Sequence, residues 1–237
     1  MQLASQSITR VCSDREIYEE VLDLDGKYLI ELGCGAADHT RAIAAGGMDR
    51  TIIAFEVDAI QHAKNLASER PSNVAFRYGG AEAIDCDDAS ADAVFMFKSL
   101  HHIPIGSMPR ALEEIARVLK PSGHAYISEP IFAGAFNDII RLFHDEQAVR
   151  EAAFDAVRIA VERGLFELES EIFFRAPVSF KDFTDFEERI IRATHTDHRL
   201  SRKVYEEVRT KFARHPTPSG AYFEAPMRVD VLIKPRD

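Results

Sequence analysis

The chain has 237 residues, 46% of them hydrophobic, enough for one α/β domain with a full core and room for an insertion. Its 29 basic and 39 acidic residues give a net charge of −10, which argues against nonspecific nucleic-acid binding, since that needs a basic face. Cys12, Cys34 and Cys86 are unevenly spaced and form neither a disulfide framework nor a zinc set; Met1 to Asp14 lacks a signal-peptide apolar region, and no apolar run is long enough to span a membrane, so a reducing, cytoplasmic setting is expected.

Glu16 to Leu24 reads as a helix leading into a short apolar strand, Tyr28, Leu29 and Ile30, which ends in an acid, Glu31. Gly33 and Gly35 follow, with Cys34 between them and Ala36 and Ala37 behind, and Thr40 to Ala45 can start a helix. In such a strand–turn–helix unit glycine lets the backbone approach a ligand and reach positive φ, and the helix start offers unpaired N–H groups. Alone, this is a weak signal for nucleotide binding. Thr51 to Phe55 reads as a second buried strand ending in Glu56, at the spacing of roughly twenty residues where an acid accepts hydrogen bonds from both ribose hydroxyls. NAD would prefer a third glycine, because its pyrophosphate sits on the helix N-terminus. S-adenosylmethionine (SAM) has no phosphate, and Glu31 suits the ammonium of its methionine moiety, so the loop points to SAM.

Further along, Ala59 to Glu69 reads as a helix stopped by Pro71, Val74 to Tyr78 as the third strand and Ala91 to Phe97 as the fourth. Ser107 can cap a helix running through Leu119, with Ala111, Leu112, Ile115 and Ala116 on its buried face; Lys120 to Gly123 is a turn, and His124 to Ser128 is the fifth strand. This alternation is that of a doubly wound sheet. After Pro130, Phe132, Phe136, Ile139, Ile140 and Phe143 recur at helical spacing, as do Val149, Ala153, Val157, Ala160 and Val161 before Gly164, which predicts a helical hairpin. Glu167 to Phe174 reads as the sixth strand, Phe183 to Ala193 and Ser201 to Ala213 as helices, and Tyr222 to Lys234 as a closing strand. The phenylalanine-rich stripes read either as core packing or as a wall that excludes water above the ligand.

Five ordered blocks carry a family resemblance: the loop Glu31 to Ala37, Glu56, Gly79 to Ile84, Ser90 to Phe97 with Ser99 to Ile103, and Glu113 to Pro130. Together they resemble a class I SAM-dependent methyltransferase, most similar to the small-molecule branch that includes the ubiquinone and menaquinone biosynthesis enzymes. The resemblance covers roughly residues 15 to 130 and thins beyond. It implies a single α/β domain over 1–237, built on a doubly wound, seven-stranded Rossmann-like sheet, with a helical lid at about 131–166 inserted after strand five and a further helical segment at about 195–215. It also implies that Glu31, Gly33, Cys34 and Gly35 hold the methionine end of SAM. Glu56 would bind the ribose, Val57 would lie beside the adenine, Ala81 and Glu82 would lie at its edge, and Lys98 and Ser99 would line the methyl-transfer mouth. Two positions depart from the family pattern: Ala37 replaces a third loop glycine, and Gly80 stands where many relatives carry an acid for the adenine amino group.

Methyl transfer from a sulfonium is an in-line displacement, so catalysis is largely positioning and desolvation. A base is needed only for an acceptor that is protonated at neutral pH. His101 and His102, just after the fourth strand, are the candidates, and either could instead pack inward as a structural residue. Asn137 and Asp138, with Arg141, fall in the lid region and either meet a polar substrate or form a solvated face. His195, Asp197 and His198 match no strong metal motif and read as solvated or capping residues, so no metal is expected. The leading reading is methyl transfer to O, N, S or C of a small molecule, with no nucleic-acid or membrane partner and an open oligomeric state. The alternative keeps the SAM site but closes SAM on itself to azetidine-2-carboxylate, releasing methylthioadenosine. An RNA or protein methyltransferase fits the acidic charge less well, and a SAM-binding protein without turnover is the non-enzyme alternative.

Overall fold

The computed structural model describes residues 1–5, 7–192 and 199–236, so His195, Asp197 and His198 lie outside the described residues. Its centre is a sheet in the order β3-β2-β1-β4-β5-β8-β6. Five successive strands run parallel: β1 (Tyr28–Leu32), β2 (Thr51–Glu56), β3 (Val74–Tyr78) at the edge, β4 (Ala91–Phe97) and β5 (Leu119–Pro130). β8 (Gly220–Ile233) is antiparallel to β5 and to β6 (Glu167–Phe180). The continuous apolar runs of β1, β2 and β4 are buried, as parallel strands covered on both faces require. Strand order reverses between β1 and β4, and the crevice beyond the carboxyl ends of these strands is where open α/β sheets bind ligands.

One face of the sheet carries α4 (Met108–Val118) and α6 (Gln147–Glu162), whose Leu112, Ile115, Ala153 and Val157 pack with Ile30, Val94 and Ile127. The other face carries α1 (Asp14–Val21) and α2 (Asp38–Ala45), with Ile17, Tyr18 and Ile43 against Phe95, Phe97 and Tyr126. α1 begins with a capping box in which Ser13 and Glu16 each bond the other's backbone N–H. Asp58 caps α3 (Ala59–Ala67). Ser107 makes no such bond at α4, contrary to the sequence expectation; Pro109, which needs no N–H partner, occupies the first turn instead.

The sheet differs from the expected seven strands by an eighth, the two-residue β7 (Pro216–Thr217), which pairs with the start of β8. The segment Lys120 to Gly123, expected as a turn, lies within β5, with a register shift against β4. β6 runs to Phe180 rather than Phe174. Its far half pairs with Ala221–Pro226 beyond the end of β5, which stops where Pro130 meets Met227. This extension survives because its inner residues, Phe180, Ala221 and Phe223, are buried in a third apolar cluster with Ile139, Phe186, Val208 and Phe212.

That cluster also redraws the expected hairpin over 131–166. α5 (Gly134–Ile140) packs in it through Ile139, together with α7 (Phe183–Phe186) and α8 (Arg202–Phe212), whereas α6 turns away and completes the main core. The helix expected over Phe183 to Ala193 is α7 continuing into a π-helical turn, Glu187–Ile191. A cap made of α5, α7, α8 and the β6–β8 extension therefore stands past the carboxyl edge of the sheet, on the side of the glycine loop.

Candidate functional site

The glycine loop is built from both neighbouring strands. The amides of Gly33 and Cys34 both donate to the Phe55 carbonyl at 2.9 Å, and Asn65 Nδ2 donates to the Gly35 carbonyl at 2.8 Å. Gly33 and Gly35 have φ of 72° and 52°, the left-handed region that glycine enters without strain. Ala37, in place of the third glycine, also takes φ of 62° as N-cap of α2. Asn65 carried no sequence signal for this role; it acts from the far end of α3.

Glu56 is the centre of the arrangement. Its Oε2 accepts from the Gly35 amide at 2.7 Å and its Oε1 from the Asp58 amide at 2.8 Å, so the carboxylate is oriented before any ligand arrives. Each carboxylate oxygen has a further lone pair, which suits it to a vicinal diol. Beside it Val57 is 58% exposed, an unusual position for a branched apolar side chain. Val57 and the carboxylate of Glu82 both lie over Gly80, where a Cβ would stand 2.4 Å from Glu82 Oε2 and 3.4 Å from Val57 Cγ1. Ala81 is buried in the main core and supports this wall from behind.

Glu31 sits deeper than its place at a strand end suggested. It is 1% exposed and accepts a hydrogen bond from the Thr40 hydroxyl, beneath the loop rather than on its surface. Burial, reinforced by the charges of Asp38 and Glu56, raises its pKa to about 8 despite the Thr40 hydrogen bond. Cys34 is buried, and burial pushes its thiol up, so it serves as packing and not as a nucleophile. Ser99 is also buried and ties the two central strands together, its hydroxyl donating to the Leu32 carbonyl at 2.8 Å. Lys98 is exposed, in the left-handed region at φ of 54°.

Sequence reasoning missed His39. It follows the loop at the start of α2 and stacks on Phe97, the last residue of β4, with ring centroids 3.9 Å apart. Burial lowers its pKa and Lys98 adds to this, against the charges of Asp14 and Asp38, so the ring is neutral at neutral pH. Its only sequence signal was its place two residues after Ala37. Asp14 is buried nearby and accepts from the Tyr126 hydroxyl at 3.2 Å.

The paired histidines are differently placed. His102 is exposed, whereas His101 is 4% exposed and hydrogen-bonds through Nδ1 to Glu129 at the end of β5. Burial alone would lower the pKa of His101, but Glu129 and Glu146 together push it up to about 9. His101 therefore already holds its proton at neutral pH, and in this arrangement it is not a base. Glu146, held below the usual carboxylate range by His101 and Arg150 against the effect of burial, bonds Arg150 at 2.6 Å. Arg150 in turn donates to Asn137 Oδ1 at 3.0 Å, so Asn137 is buried in this network, while Asp138 on the same helix is exposed. A helix face cannot aim two consecutive residues at one point, and Asp138 takes the solvent side.

A doubly wound sheet with one antiparallel strand, a glycine loop after β1 and an acid ending β2 define the Rossmann-like fold of class I methyltransferases. Residues 29–123 match a family model described as a methyltransferase domain, so this part of the chain is similar to the class I SAM-dependent methyltransferases. It is 32% identical to the ubiquinone biosynthesis O-methyltransferase of Alkalilimnicola ehrlichii over 106 residues, 44% of this chain and 42% of that protein. The matched part thus spans less than half the length of that curated relative. Among solved structures, the [4+2]-cyclase SpnF is similar with a TM-score of 0.60 at 21% identity, over 94% of this chain and 80% of that one. The Haemonchus contortus phosphoethanolamine N-methyltransferase 2, solved with SAM, gives 0.56 at 14% identity, over 92% and 51%. The loop is compatible with the family's co-substrate: two left-handed glycines open its backbone, and the carboxylate of Glu56 is held in place beside it by the Gly35 and Asp58 amides.

Proposed function

We propose that the protein transfers the methyl group of SAM to a small-molecule acceptor. The observation that carries this reading is Glu56 on the Gly35 amide, which joins the acid ending β2 to the loop after β1 at the switch point of the sheet. Bound there, SAM supplies an electrophilic methyl on a positive sulfonium. The ribose hydroxyls go to Glu56, the adenine lies on Val57 and Glu82, and the methionine end lies over Gly33 and Gly35 near Lys98. His39 and Asp14 flank that end with a neutral imidazole and a carboxylate. The cap of α5, α7 and α8 excludes water from the mouth.

This reading favours, as the acceptor site, an open cleft of roughly 530 Å3 lined by Ile8, Gly134, Arg175, Tyr222 and Glu224. This is the size of a small-molecule site. Its mixed lining, with the Arg175–Glu224 ion pair at 3.1 Å, suits a partly polar metabolite better than a polymer. Incubation with methyl-labelled SAM and a fractionated cell extract tests this: label in the low-molecular-weight fraction supports it, and label confined to RNA or protein contradicts it.

One observation favours a second reading. His39 is neutral and stands where the methionine ammonium would lie, so it is placed to take a proton from it. The free amine could then attack the carbon bonded to sulfur. The carbon–sulfur bond breaks, azetidine-2-carboxylate forms, and methylthioadenosine leaves with the bonding pair. A protein named as a [4+2]-cyclase shares this fold, which is consistent with this second reading.

A further inference from the structure

Where the short helix Leu100–His102 meets the start of α6, five titratable residues gather around Glu146. His101 Nε2 lies 3.6 Å from Glu146 Oε1, and His144 Nε2 lies 2.8 Å from the same oxygen. The rings of His101 and His102 are 4.1 Å apart, and one ligating atom from each of His101, His102 and Glu146 lies within 4.8 Å of the others. Glu129 holds the other nitrogen of His101, and Arg150 holds the other oxygen of Glu146.

We propose that His101, His102 and Glu146 bind one divalent transition-metal ion, with Glu129 as the carboxylate that orients His101. Two imidazoles and a carboxylate form a donor set for zinc, iron, cobalt or manganese, while magnesium and calcium prefer all-oxygen sites. The partners behind the donors are those that metal sites use. A histidine ligand gives its second N–H to a carboxylate, which fixes the tautomer and aims the other nitrogen at the metal, and Glu129 stands in that position on Nδ1. Arg150 takes Glu146 Oε2, which turns Oε1 toward the imidazoles.

Spacing agrees. Donors at about 2.0–2.2 Å from zinc in a tetrahedron stand about 3.3 Å apart. The His101–Glu146 separation of 3.6 Å is close to that, and the three ligating atoms all lie within 4.8 Å of one another. His101 and Glu146 are buried while His102 is exposed, so three protein ligands leave a fourth position on the His102 side, reachable from solvent as at catalytic rather than structural zinc sites. A metal ion held there would supply a Lewis acid at that open position; any use of it in methyl transfer rests on the methyl-transfer reading, whereas metal binding does not.

The test is titration of chelator-treated, tag-free protein with zinc by calorimetry, and with cobalt by visible absorption, in the absence of SAM and acceptor. Expected are one equivalent bound, a cobalt d–d band of low coordination number, and at least about tenfold weaker binding by His102→Ala, with a metal-free thermal melt of the variant run beside it to show that it is folded. Absence of stoichiometric binding, or equal affinity in wild type and His102→Ala, overturns the proposal. Methyl transfer without metal binding would leave the proposed activity standing and the metal site refuted.

Discussion

Gly33 and Ser99 meet where β1 and β4 end: a Cβ on Gly33 would stand 2.7 Å from Ser99 Cβ, closer than side chains approach. Ser99 is held in that position by its bond to the Leu32 carbonyl, and Gly33 is in the left-handed region at 72°. Gly33→Ala therefore strains the backbone and forces apart the two strands that frame the switch point. A loss of about 1–3 kcal/mol in urea unfolding is expected, with SAM affinity falling more than tenfold. Unchanged affinity in calorimetry would place the methionine end of SAM elsewhere.

Glu56→Ala removes the carboxylate that holds the Gly35 and Asp58 amides and, in our reading, the ribose. SAM binding should weaken by about 1–3 kcal/mol, the range for lost hydrogen bonds to a charged group. Glu56→Gln, which retains an acceptor, should lose less. If adenosine, which carries the ribose but not the methionine, binds both variants like the wild type, the ribose site is misassigned.

Glu31 gives a proton-linked signature. With a pKa raised to about 8, mainly by burial, it is largely protonated at neutral pH. A cationic ligand favours its ionised form and so lowers that pKa, and binding should release about one proton near pH 7. Calorimetry in two buffers of different ionisation enthalpy counts that proton. Glu31→Gln should abolish the release; wild-type binding without proton release would show that the ligand charge does not reach Glu31.

Asp230 should govern part of the pH dependence of stability. It is fully buried against Arg228, with Nε 3.0 Å away. Burial nevertheless raises its pKa from 3.8 to about 6, with the charges of Glu171 and Glu129 adding to the effect. A folded-state pKa above the unfolded one gives stability that is complete below about pH 3.8 and lost as pH rises through about 6, on the order of 3 kcal/mol in all. Asp230→Asn should flatten the stability profile across that window, whatever its absolute stability. An identical slope in chemical denaturation would rule the assignment out.

The inner half of the domain was legible because its signals are local. A strand ending in Glu31, Gly33 and Gly35 at their spacing, and Glu56 ending the next strand, each declare a backbone conformation or a charge at a strand tip. The cap was harder to read. Val149, Ala153 and Val157 have the same helical period whether they face a lid or a sheet, and only the third dimension shows α6 on the main core and α5 apart from it. Glu31 looked ligand-facing because its neighbour Thr40, which draws it under the loop, lies nine positions away on the next helix. The His101–Glu129–Glu146 network joins residues from three elements that no short-range spacing connects.

The central claim is methyl transfer from SAM to a second molecule. Its most direct test is mass spectrometry of purified protein incubated with SAM, once alone and once with a small-metabolite extract. S-adenosylhomocysteine should form only when the extract is present, matched by a product heavier by one methyl group. Methylthioadenosine formed from SAM alone, faster than SAM decays without protein, would contradict methyl transfer and make SAM itself the substrate.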